Sequence, residues 1–288
     1  MTPRPSLPQR FPYRLIATDL DGTLLRDDKT VSARTRGVLA AAQAAGAEHV
    51  VATGRSVAWT RAILDDLGYR GLAVCGQGAQ VYHAGERRLL TSVTLDRAVA
   101  RHAVGLLEEA LGPLGLAADR GGADGRLVLD ARFRSMTGYG VTEDAAVAEY
   151  RVPGRDEVLA EPVIKLYLQH PSLSDDALAA AARERVGHLV TVVVSGEGLV
   201  EMLPLGLSKA RGLALAARRL GVGAADTIAF GDMPNDVPML TWAARGVAMA
   251  GAHPEVIAVA DEVTAGNEED GIALVLEALL RPSTDRTV

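Results

Sequence analysis

The sequence predicts an α/β protein in which an inserted α+β domain interrupts a core built on a parallel sheet. Short apolar runs alternate with helical segments near the start of the chain, and the same alternation returns near its end. The middle differs, because its extended runs alternate apolar and polar residues. Strands separated by crossover helices pair in parallel, whereas alternating strands are typical of an antiparallel sheet with one solvated face.

The first part of the core is predicted over residues 13–84. Short apolar runs indicate buried strands at 14–18, 49–52 and 72–75. Helices are expected at 30–45 and 56–67, and each is followed by a glycine, which favours a helix end. The second part of the core is predicted over residues 204–288. Ser208 is its first expected N-cap, with helices at 209–220, 237–244, 254–260 and 271–280 and strands at 227–230 and 247–249.

The inserted domain is predicted over residues 85–203. Helices are expected at 96–111 and 174–186, and extended runs at 126–130, 163–168, 189–194 and 199–203. Several of these runs alternate, so that polar residues such as Lys165 and Tyr167 share one face of a strand. We therefore expect an antiparallel sheet with one solvated face in this domain.

The composition is that of a globular protein and excludes several classes of function. Hydrophobic residues make up 48% of the 288 residues, which is enough to bury the cores of two domains. The single cysteine, Cys75, excludes a disulfide framework and a multi-cysteine zinc site. Basic residues number 30 and acidic residues 36, and the resulting net charge of −6 argues against a nucleic-acid partner.

The sequence predicts neither a membrane span nor a targeting signal. No apolar run approaches the roughly 18 residues of a membrane span, so no membrane partner is expected. Prolines break up residues 1–12, which we interpret as a short disordered leader without a targeting signal. A cytoplasmic protein is the resulting prediction. The sequence does not decide between a monomer and a homodimer.

Polar residues follow the predicted core strands at the places where a ligand would bind. In open α/β sheets, ligands bind beyond the carboxyl ends of the strands. The residues that follow these strands, or that begin a core helix, are Asp19, Asp21, Thr53, Gly54, Arg55, Lys209, Asp232, Asn235 and Asp236. We expect them to converge on one edge of the sheet.

The chemistry of this group points to phosphoryl transfer. Clustered carboxylates raise one another's pKa values unless a cation neutralises them, and an all-oxygen ligand set favours Mg²⁺ over Zn²⁺. Gly22 and Gly54 leave backbone N–H groups free to face an anion. Thr53 adds a hydroxyl donor and Lys209 a positive charge. A carboxylate in such a pocket is available as a nucleophile towards phosphorus.

At this point the motifs resemble a known family. Asp19-x-Asp21-Gly-Thr-Leu, Thr53-Gly-Arg, Lys209 and Gly231-Asp232-x-x-Asn235-Asp236 resemble the four ordered motifs of the haloacid dehalogenase-like (HAD) superfamily. The inserted domain resembles its C2-type cap. The C-terminal segments, from Leu207-Ser-Lys209 to Asn267-Glu-Glu-Asp-Gly, resemble those of Cof-type phosphatases. The resemblance covers residues 13–280 and implies a Rossmann-like parallel-sheet core with a cap.

The resemblance also implies roles for individual residues. Asp19 would be the nucleophile, and Asp21 the general acid and then the general base. Mg²⁺ would bind the Asp19 carboxylate, the Asp21 backbone carbonyl and Asp232. Thr53, Gly54, Lys209 and Asn235 would bind the phosphate, with Asp236 and Arg55 in support. One departure is Gln77, because the family often has Asn-Gly-Ala where this chain has Gln77-Gly-Ala. Its effect on the pocket is left open.

These inferences predict a Mg²⁺-dependent phosphatase. It would hydrolyse small phosphate monoesters, either sugar phosphates or phosphorylated cofactors, through a phosphoaspartate on Asp19. The alternatives are a phosphomutase acting on sugar phosphates and a non-catalytic sensor of a phosphorylated metabolite. In the inserted domain, Lys165, Tyr167 and Glu201 either contact the leaving group or lie on the solvated face of the sheet. The sequence leaves both possibilities open.

Overall fold

The computed structural model describes residues 11–122, 126–134, 149–196, 198 and 200–281. Two β-sheets with their helices make up these ranges. The strands are β1 Leu15–Thr18, β2 Glu48–Ala52, β3 Leu72–Cys75, β4 Gln80–His83, β5 Arg88–Ser92, β6 Gly115–Asp119, β7 Leu127–Leu129, β8 Glu149–Arg151, β9 Lys165–Gln169, β10 Val190–Val194, β11 Val200–Pro204, β12 Thr227–Gly231, β13 Arg245–Ala248 and β14 Glu262–Val263. The helices are α1 Ala33–Ala44, α2 Val57–Asp66, α3 Arg97–Leu111, α4 Arg155–Val158, α5 Asp175–Val186, α6 Lys209–Arg219, α7 Val237–Trp242, α8 Pro254–Ile257 and α9 Gly271–Leu280.

The larger sheet has the strand order β14-β13-β12-β1-β2-β3-β4-β5. The strands from β14 to β3 are parallel, whereas β4 and β5 extend the sheet in antiparallel pairs. Thr18 at the end of the central strand β1 pairs with Val51 on one side and Phe230 on the other. The carboxyl ends of three neighbouring strands therefore meet at one edge, and the polar motifs leave the sheet there.

Helices cover both faces of this sheet, as the predicted α/β architecture requires. One apolar cluster joins α1 and α9 to the strands, and Val38 and Leu276 are buried in it. A second cluster on the other side contains Leu213 of α6 and Met239 of α7. The parallel-sheet core is confirmed, and β3 and α9 have the bounds that the sequence predicted.

The smaller sheet belongs to the insertion and has the order β10-β11-β9-β6-β7-β8. Its pairs are antiparallel except for β7 with β8. Helices α3 and α5 pack on one face through residues that include Leu107 and Leu178. The other face of β9 was predicted to be solvated, and this is wrong: Lys165–Gln169 are all buried. The reason is that this face lies against the core, where Tyr167 stacks on Trp59 of α2.

Two predicted boundaries need correction. The prediction assigns residues 85–92 to the insertion, whereas β5 pairs with β4 in the larger sheet. This edge strand is partly exposed and begins with an arginine, so it lacks the apolar run of a buried strand. The prediction ends the leader at residue 12, whereas Phe11 is buried in the core. The rest of the leader, residues 1–10, lies outside the described residues.

A bilayer span is not found in the part of the chain that the structure describes, because none of its helices combines the required length with sufficient apolar character. The cytoplasmic location stays a prediction.

The core sheet buries a histidine next to the first motif. His49 of β2 is 6% exposed, and its Nε2 lies 3.0 Å from Thr18 Oγ1 of β1. Burial lowers the pKa of His49 from 6.5 to about 4. Between these two values the unfolded chain binds a proton that the folded protein does not bind. The stability that His49 contributes is therefore present above pH 6.5 and is lost as the pH falls through 6.5 towards 4.

We expect this proton linkage to be measurable in urea unfolding. Between pH 7 and pH 5, the free energy of unfolding should fall by about 2 kcal/mol more in the wild type than in His49→Gln. His188→Gln is the control, because His188 is an exposed histidine outside the core sheet. Equal pH dependence in the wild type and His49→Gln would show that His49 is not the linked group.

Candidate active site

A buried carboxylate directly follows the first core strand. The backbone N–H of Asp19 donates to the carbonyl of Phe230 at 3.0 Å, which continues the alignment of β1 with β12. Lys209, at the start of α6, donates from Nζ to Asp19 Oδ1 at 2.6 Å and to Asp236 Oδ1 at 2.7 Å. The Lys209 side chain is 1% exposed, so its ammonium group is held between two carboxylates and away from water.

The loop after β12 contributes two further carboxylates with different surroundings. Asp236 Oδ2 accepts hydrogen bonds from the backbone N–H groups of Asp232 and Met233, both at 3.1 Å. Both oxygens of Asp236 are therefore occupied, since Oδ1 accepts from Lys209. Thr23 Oγ1 donates to Asp232 Oδ1 at 2.9 Å. Asp236 thus orients Lys209 and the loop, while Asp232 lines the cavity.

A glycine lets the first motif approach Asp232 closely. Gly22 has a φ of +73°, a conformation that side chains rarely adopt. A Cβ at this position would lie 2.4 Å from Asp232 Oδ2. Glycine is therefore required at position 22 both by the positive φ of the turn and by the carboxylate that packs on it.

The carboxylates form a group suited to a divalent cation. Oxygens of Asp19, Asp232 and Asp236 lie within 4.8 Å of one another. Burial and the nearby charge of Asp236 raise the pKa of Asp232 to about 6, and the same two causes raise the pKa of Asp19 well above its ordinary value. A cation at this position would stabilise both ionised carboxylates. The donors are all oxygen atoms, which fits a hard ion such as Mg²⁺, with Asp19 and Asp232 as the side chains available to hold it.

Asp21 lies beside this group in an arginine clamp. Arg55 donates from Nε to Asp21 Oδ2 and from Nη2 to Oδ1, both at 2.7 Å, and Lys29 Nζ donates to Oδ1 at 3.3 Å. Burial alone would raise the pKa of Asp21, but the hydrogen bonds and charges of Arg55 and Lys29 outweigh it and lower the pKa. The arrangement therefore favours the ionised carboxylate, which is the form of a general base.

The loop after β2 forms the floor of the site. Thr53 Oγ1 accepts a hydrogen bond from the backbone N–H of Arg55 at 3.1 Å. Gly54 packs on Gln77, and a Cβ on Gly54 would lie 2.6 Å from Gln77 Nε2. Gln77 Oε1 in turn accepts from Asn235 Nδ2 at 3.0 Å. The longer amide that departs from the family pattern is thus buried behind the floor, where it positions Asn235.

The inserted domain closes the other side of the site. Lys165 Nζ donates to Glu201 Oε1 and to the carbonyl oxygen of Gly54, both at 2.8 Å. It also lies 4.6 Å from the centroid of the Tyr167 ring. The sequence leaves two possibilities open for these residues, and the one that places them on a solvated face of the sheet is wrong. Lys165, Tyr167 and Glu201 line the cavity, and each is 1% exposed.

The site encloses a cavity of about 400 Å³ between the two sheets. All the predicted site residues line it except Asp236, which lies behind Lys209. The lining residues are Asp19, Asp21, Gly22, Lys29, Thr53, Gly54, Arg55, Trp59, Lys165, Tyr167, Ser195, Gly196, Glu201, Lys209, Asp232, Met233 and Asn235. Carboxylates, one hydroxyl group and Lys209 converge at the sheet edge, and the residues of the insertion face them across the cavity.

Some of these residues were missed by the sequence reasoning. Lys29 and Ser195 belong to segments without a chemical motif, so no local pattern indicates them. Trp59 carries a weak signal, since a bulky aromatic side chain near the start of the helix after the Thr53-Gly-Arg segment is placed to cover a ligand. Met233 lies inside the Gly231–Asp236 motif, at a position that the motif leaves unspecified.

The structure combines a parallel-sheet core, an inserted sheet and, at the end of the first strand, a carboxylate bound by a lysine. Together these features are typical of a hydrolase of the haloacid dehalogenase type. The model of the haloacid dehalogenase-like hydrolase family matches residues 16–276, and the chain belongs to this family. The site described above lies within the matched residues.

Two similar proteins are named as phosphatases, which specifies the kind of hydrolase further. The chain is 32% identical over 288 residues to phosphatase YwpJ of Bacillus subtilis (strain 168), covering 93% of this chain and 100% of that protein. It is 28% identical over 294 residues to 5-amino-6-(5-phospho-D-ribitylamino)uracil phosphatase YwtE of the same organism, covering 93% and 98%. SMU.1108c from Streptococcus mutans UA159 has the same fold, with a TM-score of 0.79 at 23% identity, over 93% of this chain and 99% of that chain. The predictions of a Cof-type HAD hydrolase and of an enzyme acting on phosphoric monoesters are confirmed.

Proposed function

We propose that this enzyme is a Mg²⁺-dependent phosphatase that hydrolyses small phosphate monoesters through a phosphoaspartate on Asp19. The observation that carries the proposal is the position of Asp19, which lines the cavity with Lys209 2.6 Å away and Asp21 and Asp232 among the other lining residues. The substrate class is sugar phosphates or phosphorylated cofactors, and the ribitylaminouracil phosphate named for one relative falls within it. A net charge of −6 disfavours a nucleic-acid substrate.

The first half of the reaction transfers the phosphoryl group to the protein. A carboxylate oxygen of Asp19 attacks phosphorus, the ester P–O bond breaks, and Asp21 gives its proton to the leaving oxygen. Lys209, Thr53 Oγ1 and the backbone N–H of Gly54 bind the phosphoryl oxygens, with Asn235 beside them. When bound, Mg²⁺ supplies positive charge that offsets the negative charge on the phosphoryl group and on Asp19.

The second half of the reaction regenerates Asp19. Asp21, now ionised, accepts a proton from a water molecule whose oxygen attacks phosphorus. The bond between phosphorus and the Asp19 oxygen breaks, and inorganic phosphate leaves. The hydrogen bonds and charge of Arg55 favour this step, because they lower the pKa of Asp21 and so favour its ionised carboxylate. For the first step Asp21 must be protonated, so we infer that the phosphoryl oxygens compete with Asp21 for Arg55 when substrate binds.

The proposed function is tested by metal removal and phosphate release. Activity on a panel of sugar phosphates, flavin mononucleotide, pyridoxal phosphate and p-nitrophenyl phosphate should vanish with EDTA and return with Mg²⁺. Ca²⁺ should inhibit, because it relaxes the octahedral geometry that Mg²⁺ imposes. Full activity after exhaustive chelation contradicts the metal assignment. Isomerised sugar phosphate without free phosphate would indicate the phosphomutase, and binding without turnover the sensor.

The role of Asp21 is tested by comparing leaving groups in Asp21→Asn. A sugar alkoxide needs a proton to leave, so sugar phosphates should lose both steps, by roughly 10²-fold or more. The p-nitrophenolate ion needs little protonation, so phosphorylation of Asp19 should survive while its hydrolysis lacks a base. Stopped-flow measurement should then show a near-stoichiometric burst of p-nitrophenol and a slow steady state. Equal losses on both substrates, with no burst and no trapped phosphoenzyme, would exclude Asp21 as the acid–base residue.

A further inference from the structure

A second cavity lies in the core, between α1, β2 and the segment that follows α2. Its volume is about 370 Å³, close to the 400 Å³ of the active-site cavity, and the two cavities share no lining residue. None of its lining residues takes part in the phosphatase reaction described above. A ligand bound in this cavity would therefore occupy a site of its own.

The second cavity is basic, although the net charge of the protein is −6. Arg36 of α1 and Arg70, which follows α2, line the cavity, whereas no aspartate or glutamate lines it. Neither arginine forms an ion pair within the described ranges. Both guanidinium groups are therefore available to an anion, and a carboxylate is a group that arginine binds well.

A buried histidine also lines this cavity. His49 is 6% exposed, and its Nε2 lies 3.0 Å from Thr18 Oγ1. Thr18 is fully buried, and its hydroxyl group has no other partner among the described residues. Because a buried hydroxyl hydrogen needs an acceptor, Thr18 donates to Nε2. The neutral imidazole ring then carries its proton on Nδ1.

The Nδ1–H group of His49 is a donor without an acceptor. No described residue accepts a hydrogen bond from it. Nδ1 is also absent from the set of described side-chain atoms that are both buried and unpartnered, so it has accessible surface. Since His49 is almost completely buried and lines the cavity, this surface faces the cavity. A ligand in the cavity therefore meets an unpaired N–H donor.

The rest of the lining selects the other part of the ligand. Leu24, Val31 and Leu39 line the cavity and are each more than nine-tenths buried. Carbon atoms of a ligand would pack on these side chains, whereas a small, strongly hydrated anion such as inorganic phosphate has none to offer. The lining thus fits a molecule that combines an anionic oxygen acceptor with an apolar body.

We propose that this cavity is a second ligand site, which binds a small carboxylic acid with an apolar body. The carboxylate pairs with Arg36 and Arg70 and accepts a hydrogen bond from His49 Nδ1. The apolar body packs on the leucine and valine side chains of the wall. Binding at this site is independent of the proposed phosphatase function, because the two cavities have separate linings.

The experiment measures binding of three probes, benzoate, phenylacetate and isovalerate, to the full-length protein. The neutral amide of each probe is the matched ligand, and inorganic phosphate is the competitor for the active site. The blocking variant is Ala40→Trp, because Ala40 is exposed and lines the cavity, and Ala44→Trp on the same helix is its control. The charge variant is Arg36→Gln, and its control is Arg218→Gln on α6, which packs on the other face of the sheet.

At least one acid should raise the midpoint of thermal unfolding by roughly 2 °C or more, and its amide should bind about tenfold more weakly or worse. Arg36→Gln should weaken binding of the acid about fivefold or more, and Ala40→Trp should abolish it. Both control variants, and excess inorganic phosphate, should leave binding unchanged. In ¹H–¹⁵N spectra of the imidazole rings, His49, assigned by its absence in His49→Gln, should be protonated on Nδ1, and its signal should shift when the acid binds.

Other outcomes overturn the inference. If none of the three acids stabilises the protein, or if the amides bind as tightly as the acids, the cavity is not a carboxylate site. If Ala40→Trp binds the acids like the wild type, or if phosphate displaces them, they bind elsewhere. A proton on Nε2 of His49 would remove the donor from the cavity. If Ala40→Trp does not fold, the double variant Arg36→Gln/Arg70→Gln must itself abolish binding.

Discussion

Asp19→Asn is expected to eliminate turnover of every phosphate ester, by roughly 10⁴-fold or more, while the protein stays folded. The amide is nearly the same shape as the carboxylate but cannot form an acyl phosphate. Its retained oxygen can still accept the hydrogen bond from Lys209. Release of inorganic phosphate measures the loss, and acid-quenched reactions with ³²P-labelled substrate should show no phosphoprotein.

The same variant makes a prediction about stability. Burial and the charge of Asp236 raise the pKa of Asp19, so the ionised carboxylate is disfavoured in the folded protein without metal. Removing this charge should leave the midpoint of thermal unfolding in EDTA unchanged or higher. Asp156→Asn is the control, because the Asp156 side chain is 80% exposed and lies in the insertion. Turnover of Asp19→Asn within about 100-fold of the wild type would show that Asp19 is not the nucleophile.

Lys209→Met should lower kcat/KM by roughly 10²-fold or more, because a buried cation at the phosphoryl group is lost. It should also destabilise the protein, by about 3–5 kcal/mol, since Asp19 and Asp236 would remain buried without their counter-charge. Urea unfolding and initial rates on p-nitrophenyl phosphate measure the two effects separately. A loss of activity under about threefold would mean that Lys209 only begins the helix.

A second substitution separates these effects. Asp236→Asn in the Lys209→Met background removes one of the two unpaired charges, and the amide oxygen can still accept from the backbone N–H groups of Asp232 and Met233. The double variant should regain part of the lost stability and none of the lost activity. If activity returned together with stability, the contribution of Lys209 would be to the fold and not to the phosphoryl group.

Much of the core could be predicted from local patterns. Strands buried on both faces are continuous apolar runs, and helix ends carry their own signals, as Ser208 shows by accepting a hydrogen bond from the N–H of Arg211. The antiparallel strands β4 and β5, of which β5 forms the edge of the larger sheet, and the central strand β6 of the inserted sheet were missed. An antiparallel edge strand such as Arg88–Ser92 is stabilised by its neighbour and not by an apolar pattern of its own. In β6, Gly115–Asp119, glycine and alanine are buried by packing without marking a strand.

The candidate site could be predicted because ligands of open α/β sheets bind beyond the carboxyl ends of the strands. Asp19, Thr53 and Asp232 each follow one of three neighbouring parallel strands, so their convergence required only the strand assignments and their order. Their contacts with one another required more. The two oxygens of Asp236 accept hydrogen bonds from Lys209 and from backbone N–H groups. Asp236 is therefore the carboxylate that orients the lysine, whereas Asp232 is available to hold a metal.

The sequence by itself determined the parallel core, the existence of the insertion, the family motifs and the phosphoryl-transfer chemistry, because each rests on local periodicity or on residue types at strand ends. Only the tertiary structure decided which face of the inserted sheet meets the core, that Arg55 clamps Asp21 and that Gln77 supports Asn235. The physical reason is that a polar residue on an alternating strand has the same pattern whether that face meets water or another domain. Its burial is set by contacts between distant segments, such as the hydrogen bond from Lys165 to Gly54, 111 residues apart in the chain.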